Sequence, residues 1–254
     1  MADALSFSVM TFNLRFGLAD DGDNAWDNRK KAYPSLFQRY QPDFIGFQEA
    51  NNFQTAYLAT LLDQYGFIGK RTPSPDFWQN NLIFHSKKWV CKEKRHCFLS
   101  ETPDVESRLE NSRWPRQCTL GLFQQGSFQV AMANTHFDFY ESVQKRSAEL
   151  VVDFLSDFPR DLPTIVTGDF NCIPLEPAHA VFTRNGFEDA FTGSHTCTFH
   201  GFTGKDRGGH IDWILSRGGV KVCRKEIVRD QFSGFYPSDH FPVLVEFAIG
   251  ASPE

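Results

Sequence analysis

The sequence predicts an α/β fold built as two packed sheets flanked by helices, on three observations. Phe accounts for 27 of 254 residues within an aromatic share of 15%, and aromatic side chains favour strands and thick cores between sheets. Short apolar runs of strand length outnumber helical patterns. The helical patterns fall between pairs of those runs, which puts helices outside a sandwich.

Taken in order, Phe7-Ser8-Val9-Met10-Thr11-Phe12-Asn13-Leu14 has apolar residues at 7 and 9 and again at 12 and 14. That pattern predicts a strand with a change of face. Segment 26–40 is helical in pattern but contains Pro34, so two short pieces or a helix starting at the proline are expected. Asp43-Phe44-Ile45-Gly46-Phe47-Gln48 is a second strand. Asn51 and Asn52 can cap a helix carrying Phe53, Tyr57, Leu58, Leu61 and Leu62 on one face. Strands follow at 81–85, 88–96, 118–125 and 127–134. The strongest helix spans 142–157, with Val143, Leu150, Val151, Phe154 and Leu155 at helical spacing. After a strand at 163–168, Pro177 to Asn185 has a Pro start and Gly186 as its stop. Strands at 210–216, 220–228 and 241–248 complete the chain, and no internal repeat is visible.

The length is compatible with one or two domains. No Pro/Gly/Ser linker divides it, so residues 1–254 are taken as one domain. Net charge is −5, from 26 Lys+Arg against 31 Asp+Glu, which argues against the basic face of a generic duplex-binding protein. No basic-then-apolar leader is visible and no apolar run reaches the ~20 residues of a membrane span. The six Cys are scattered with no CxxC and read as reduced, buried thiols. A cytoplasmic monomer without stable membrane insertion is expected.

The ends of the apolar runs carry the polar residues. Asn13 and Arg15 end the first strand, and Gln48-Glu49 the second. Asn134-Thr135-His136 ends another, and Gly168-Asp169-Phe170-Asn171 follows 163–168. Ile211-Asp212-Trp213-Ile214 opens a strand, and Ser238-Asp239-His240 precedes the last. Singly, each has an ordinary explanation: Gly168 to Asn171 also reads as a turn, and Glu49 suits a helix N-terminus. Together they supply oxygen ligands for a hard cation and two histidines able to face a negatively charged transition state. One carboxylate pair ~4 Å apart costs about 4 kcal/mol at an effective dielectric near ~20. A divalent ion removes that cost, so the set predicts a metal, and the metal a phosphate-like substrate.

In this order the motifs resemble the endonuclease/exonuclease/phosphatase superfamily, the DNase I-like proteins, from residue 7 to about 248. The resemblance implies a four-layer α/β sandwich of two mostly antiparallel sheets with helices outside, and Mg²⁺-dependent phosphoester hydrolysis, with Mn²⁺ able to substitute. It implies Glu49 as principal Mg²⁺ ligand with Asn13 and Asp239 close to the ion. Asp169 would orient or deprotonate the attacking water and Asn171 would hold it. His240, oriented by Asp212, would contact a phosphate oxygen, with His136 as the second histidine. The segments Trp26 to Arg29, Asn111 to Arg116 and Thr198 to Phe202 are similar to a bacterial branch distantly related to the carbon-catabolite-repressor-type deadenylases. His210 departs from it, standing where many relatives have a basic residue.

Arg113 and Trp114, with Arg116 beside them, suggest a phosphate clamp with an aromatic platform, or a solvated Arg pair over a packed Trp. His195, Cys197 and His200 match no common zinc spacing. Cys172 reads as a buried filler. No G-x-S-x-G elbow, P-loop or H-E-x-x-H occurs. The expected substrate is a small phosphoester, a lipid headgroup or single-stranded nucleic acid. A DNase-like endonuclease on duplex DNA and a non-catalytic binding module on the same scaffold remain as alternatives.

Overall fold

The computed structural model describes residues 5–193 and 196–250. One six-stranded sheet runs β11 (Val220–Ile227), β12 (Val243–Ile249), β1 (Leu5–Asn13), β2 (Phe44–Ala50), β4 (Asn80–Ser86), β3 (Tyr65–Ile68). The other runs β5 (Val90–Phe98), β6 (Gln117–Gln125), β7 (Phe128–His136), β8 (Thr164–Asp169), β10 (Asp212–Arg217), β9 (Glu188–Asp189). The helices are α1 (Trp26–Arg29), α2 (Tyr33–Arg39), α3 (Asn52–Leu61), α4 (Glu141–Phe154) and α5 (Pro177–Arg184). The expected four-layer sandwich is present.

The two sheets share one plan. In each, the central pair is parallel, β1 with β2 and β7 with β8, and the other pairs are antiparallel. Helical crossovers join the parallel strands, α1 and α2 in one sheet and α4 in the other, as a parallel pair requires. The stretch β1 to β4 has the same order of elements as β7 to β10. The repeat that the sequence hides is therefore one of topology.

Apolar residues fill three layers. Met10, Phe12, Phe47 and Phe84 pack under α1 to α3. Phe7, Val9, Phe44, Phe123 and Phe247 lie between the sheets. Phe137, Phe170, Trp213 and Phe182 pack under α4 and α5. This explains the Phe content, since each fully buried Phe contributes ~1.5–3 kcal/mol. It also corrects the expected change of face in the first strand. β1 pairs in unbroken register from Leu5 to Thr11, and both of its faces are covered, Phe7 and Val9 inward and Met10 and Phe12 outward.

Local signals hold where they are chemical. Asn51 caps α3 in a reciprocal box with Gln54. Pro34 sits in the first turn of α2, after a 3₁₀ turn that separates it from α1. Gly186, at φ 82°, ends α5 in the left-handed region. The short edge strands β3 and β9 are additions to the sequence expectation.

Candidate active site

The two parallel pairs end at the same rim. Asn13 stands opposite Gln48 across β1 and β2, and His136 opposite Asp169 across β7 and β8. Because β1 packs against β8 across the sandwich, residues from both sheets meet there. Beneath the rim, buried Asn134 locks the layers. Its Nδ2 donates to Phe47 O and Leu82 O, both at 2.8 Å, and its Oδ1 accepts from Gln48 Nε2 at 2.7 Å and Thr167 Oγ1 at 3.1 Å. Gly46 permits this approach, since a Cβ there would lie 2.4 Å from Thr167 Oγ1.

Asn13 Nδ2 donates to Glu49 Oε1 at 3.1 Å and to Asp169 Oδ2 at 2.8 Å, so one amide bridges a carboxylate from each sheet. Its Oδ1 accepts from Arg15 N–H at 2.8 Å, which fixes the amide's orientation. Glu49 reaches this point through a break in β2–β4 register between Phe47 and Ala50 and a left-handed φ of 61°. Such irregularities re-aim side chains at sites. Phe16 N–H donates to its Oε2 at 2.6 Å. Asn171, also left-handed at φ 51°, returns its N–H to Asp169 Oδ1 at 3.0 Å. Its Nδ2 donates to Phe137 O at 2.9 Å and His136 Nε2 at 3.1 Å. In that geometry His136 Nε2 is an acceptor, so the ring proton sits on Nδ1.

On the far side of Asp169, His240 Nδ1 pairs with Asp212 Oδ2 at 2.9 Å, while its Nε2 lies 3.8 Å from Asp169 Oδ2. Asp212 is placed by Thr198, whose Oγ1 accepts the N–H groups of Ile211 and Asp212. Asp239 accepts from Ser238 Oγ at 3.1 Å and lies 3.7 Å from Arg15 Nε. Thus the sequence-predicted Asn13, Glu49, His136, Asp169, Asn171, Asp212, Asp239 and His240 all occupy one rim.

The two histidines are held in opposite states. Burial pushes His136 well below the usual histidine range, helped by the charges of Arg116 and His240. Burial acts the same way on His240, but Asp212, Asp169 and Asp239 outweigh it and hold His240 well above that range. Burial raises the Asp169 carboxyl to about 7, with Asp212 adding to the rise and His240 and the Asn13 and Asn171 N–H bonds opposing it. A group poised near neutrality suits proton transfer.

Ligand atoms of Glu49, His136 and Asp169 lie within 4.8 Å of one another, as do those of Asp169, Asp212 and His240. The second set is already joined by the His240–Asp212 hydrogen bond. Both sets hold two carboxylates; in the first, Glu49 and Asp169 supply oxygen donors that fit a hard divalent cation.

Beside the rim lies a cleft of about 480 Å³. Glu49, His136 and Arg116 line it within, and Phe77, Trp78, Trp114 and Phe139 form its aromatic walls. Trp114 belongs to this cleft as expected. Arg113 is exposed, its guanidinium 4.7 Å from the Trp114 ring centroid, off the cleft wall. Arg116, two residues after Trp114, lines it instead.

Two residues support the rim: Arg29, which the sequence reading names only within the Trp26 to Arg29 segment, and Asp138, which it does not single out. Arg29, fully buried, donates to Leu14 O at 2.6 Å, Arg15 O at 2.9 Å and Pro237 O at 3.1 Å, tying the loop after β1 to the loop before β12. Asp138 holds the 112–113 loop through Ser112 Oγ and Arg113 N–H. Of the three residues weighed for zinc, His195 lies outside the described residues and His200 stacks on Phe241 at 3.9 Å. Cys172 is buried, which raises its thiol.

The sequence model of the Endonuclease/Exonuclease/phosphatase family matches residues 10–240. Nocturnin of Drosophila melanogaster is 25% identical over 166 residues, 61% of this chain; the chain spans about a quarter of that relative's length, 25%. An endonuclease/exonuclease/phosphatase family protein from Bacteroides thetaiotaomicron is similar at 28% identity and TM-score 0.89, over 97% of this chain and 99% of that one. A mannosyl-6-phosphatase from the same species is 28% identical with TM-score 0.88, over 95% of this chain and 99% of its own. D. rerio TDP2 humanized by 14 mutations shares the fold, at 16% identity and TM-score 0.75, over 95% of this chain and 98% of that one. The match across residues 10–240 covers every strand-end motif that meets at the rim, and so the chain belongs to the endonuclease/exonuclease/phosphatase family.

Proposed function

We propose that the chain hydrolyses a small phosphoester by in-line attack of water, with a divalent cation, Mg²⁺ or in its place Mn²⁺, held at Glu49. The observation that carries this reading is the Asn13 amide spanning Glu49 and Asp169 at 3.1 and 2.8 Å, which sets the cation side of the site beside a candidate base. Asn13, whose Nδ2 donates to Glu49, orients that carboxylate beside the cation, and Asp239 is the further oxygen ligand in this reading. When bound, the ion supplies positive charge against the phosphate oxygens.

The chain's own residues do the rest. Asp169, steadied by Asn13 and the Asn171 N–H, accepts the proton of the attacking water. His240 stays charged between Asp212 and Asp169 and stabilises the charge developing on the phosphate. His136 stays neutral and holds the Asn171 amide. The aromatic walls of the cleft suit a ring-bearing leaving group. The similarity to a mannosyl-6-phosphatase over 95% of the chain favours a sugar phosphate over a polynucleotide. In this reading residues 1–254 act as one catalytic domain and as a monomer. Among the described residues no helix is long and apolar enough to cross a membrane.

A panel of sugar phosphates, phosphoinositides and oligonucleotides, with and without EDTA, tests the reading directly. Glu49→Gln should weaken Mg²⁺ binding in calorimetry and lower turnover by about a hundredfold or more, with an unchanged circular-dichroism spectrum. Metal affinity equal to wild type would remove Glu49 from the site.

A further inference from the structure

We propose that Arg116 is the receptor for the free oxygens of a terminal phosphate, so that this site selects phosphomonoesters over phosphodiesters; the proposal rests on the phosphoesterase reading above. Arg116 is only 8% exposed, at the point where the chain enters β6. Its buried Nε has no hydrogen-bond partner. Its contact with Asp138 Oδ2 is 3.8 Å, too long for a hydrogen bond. Asp138 does not need it, because Ser112 Oγ, Arg113 N–H and Phe139 N–H donate to that carboxylate at 2.9, 2.8 and 2.8 Å. A buried guanidinium is costly unless its donors are satisfied. The charges of Asp138, Glu49 and Asp169 and the faces of Trp114 and Phe139 offset part of that cost, but no hydrogen bond satisfies Nε.

Its surroundings point to an anion as the missing partner. The Trp114 and Phe139 rings lie 5.3 and 5.8 Å from the guanidinium carbon and screen it from water. Arg116 shares the cleft with Glu49 and His136, on the approach to the proposed cation. Of the other guanidiniums nearby, Arg113 is exposed and off the cleft wall, and Arg15 is engaged, gripping Asp21 through Nε at 3.0 Å and Nη2 at 2.8 Å. Arg116 therefore offers the cleft a free fork. A guanidinium fork binds best to two unesterified oxygens on one phosphorus. A monoester dianion still has an oxygen pair to offer after the cation takes its share. A diester carries one negative charge and has fewer free oxygens.

The test compares wild type, Arg116→Met and Arg116→Lys in the presence of Mg²⁺. Inorganic phosphate affinity is measured by calorimetry, Tm with and without phosphate, and kcat/KM on p-nitrophenyl phosphate and bis-p-nitrophenyl phosphate. The proposal expects wild type to bind phosphate and Arg116→Met to bind it at least tenfold more weakly. The monoester kcat/KM should fall at least tenfold further than that of the diester, with partial recovery in Arg116→Lys. Without phosphate, Arg116→Met should melt no lower than wild type, since it removes an unsatisfied buried charge. Equal phosphate affinity in wild type and Arg116→Met, or equal losses on both esters, would overturn the proposal. So would a lowered Tm that Arg116→Lys restores without restoring phosphate binding, since that marks a structural cation. Phosphate affinity is read without turnover. A wild type that cleaves neither ester therefore counts against the phosphoesterase reading alone, and the affinities still decide the role of Arg116.

Discussion

Asp169 holds its place at an energetic cost. Its carboxyl is almost fully buried, and its shift from 3.8 to about 7 means that the folded metal-free protein binds its proton more tightly than the unfolded chain does. That contribution to stability is complete below pH 3.8 and is lost as pH rises through about 7. Asp169→Asn, which cannot ionise, should therefore gain more Tm over wild type at pH 8 than at pH 5 in metal-free scans. An equal difference at both pH values would show that the carboxyl is not held protonated by burial. The same variant should lose more than about tenfold in kcat, ~1.4 kcal/mol of barrier, with KM little changed, because an amide cannot take a proton from water. His240 titrates in the opposite sense from His136. Its raised pKa rests on three carboxylates, so its contribution to stability is present below the ordinary histidine range and fades as pH rises through the raised value. Asp212→Asn should lower that pKa, seen by NMR of the metal-free protein, and move the basic limb of the pH–rate profile to lower pH. A profile that only scales would count against the dyad.

The strand ends work because the elements below them are locked together. Asn134 makes four hydrogen bonds at 2.7 to 3.1 Å, reaching β2 and β4 in the opposite sheet. Asn134→Leu leaves the Phe47 and Leu82 carbonyls and the Gln48 and Thr167 donors without this partner. It should cost about 3 kcal/mol or more, a fall of roughly 6–12 °C in Tm. A Tm within a degree or two of wild type would show that the layers repack without it. At the level of elements most of the fold was legible. Strand-length apolar runs, the Asn51 cap, Pro34 and Gly186 are local signals, and the elements they predict are present. β3 and β9 were not legible, since four- and two-residue edge strands are defined by their neighbours. Continuous apolar runs such as 7–14 also hide which face points where, because both faces of a central strand are covered.

For the molecule as a whole, charge bears on substrate. The net charge is −5, and Arg116 is the cation that the cleft leaves unpaired by a hydrogen bond at Nε. A duplex needs many phosphate contacts, each steepening the salt dependence. Little or no nicking of plasmid DNA is expected, with a shallow fall of kcat/KM between low and physiological salt. Efficient nicking with a steep salt slope would place the chain on the nuclease side of its family. The same scale explains the hidden repeat. β1 to β4 and β7 to β10 follow one plan in which each buries two apolar layers, one between the sheets and one under its own helices, and many apolar sequences can fill those layers.

By itself, the sequence determined the element types, the sandwich and the eight polar residues that end its strands, because periodicity, capping and turn chemistry act over a few neighbouring residues. The order of its motifs was also enough for the family resemblance. Only the tertiary structure decided that Asn13 bridges Glu49 and Asp169 across 156 residues of chain, that burial lowers His136 while carboxylates raise His240, and that Arg116 lines the cleft while Arg113 stays outside. Those outcomes depend on burial and on which partners arrive from other strands. A guanidinium written two residues after a tryptophan carries no sign of whether its donors will find acceptors. Packing settled that, by giving Asp138 three other donors and leaving the Arg116 Nε without an acceptor.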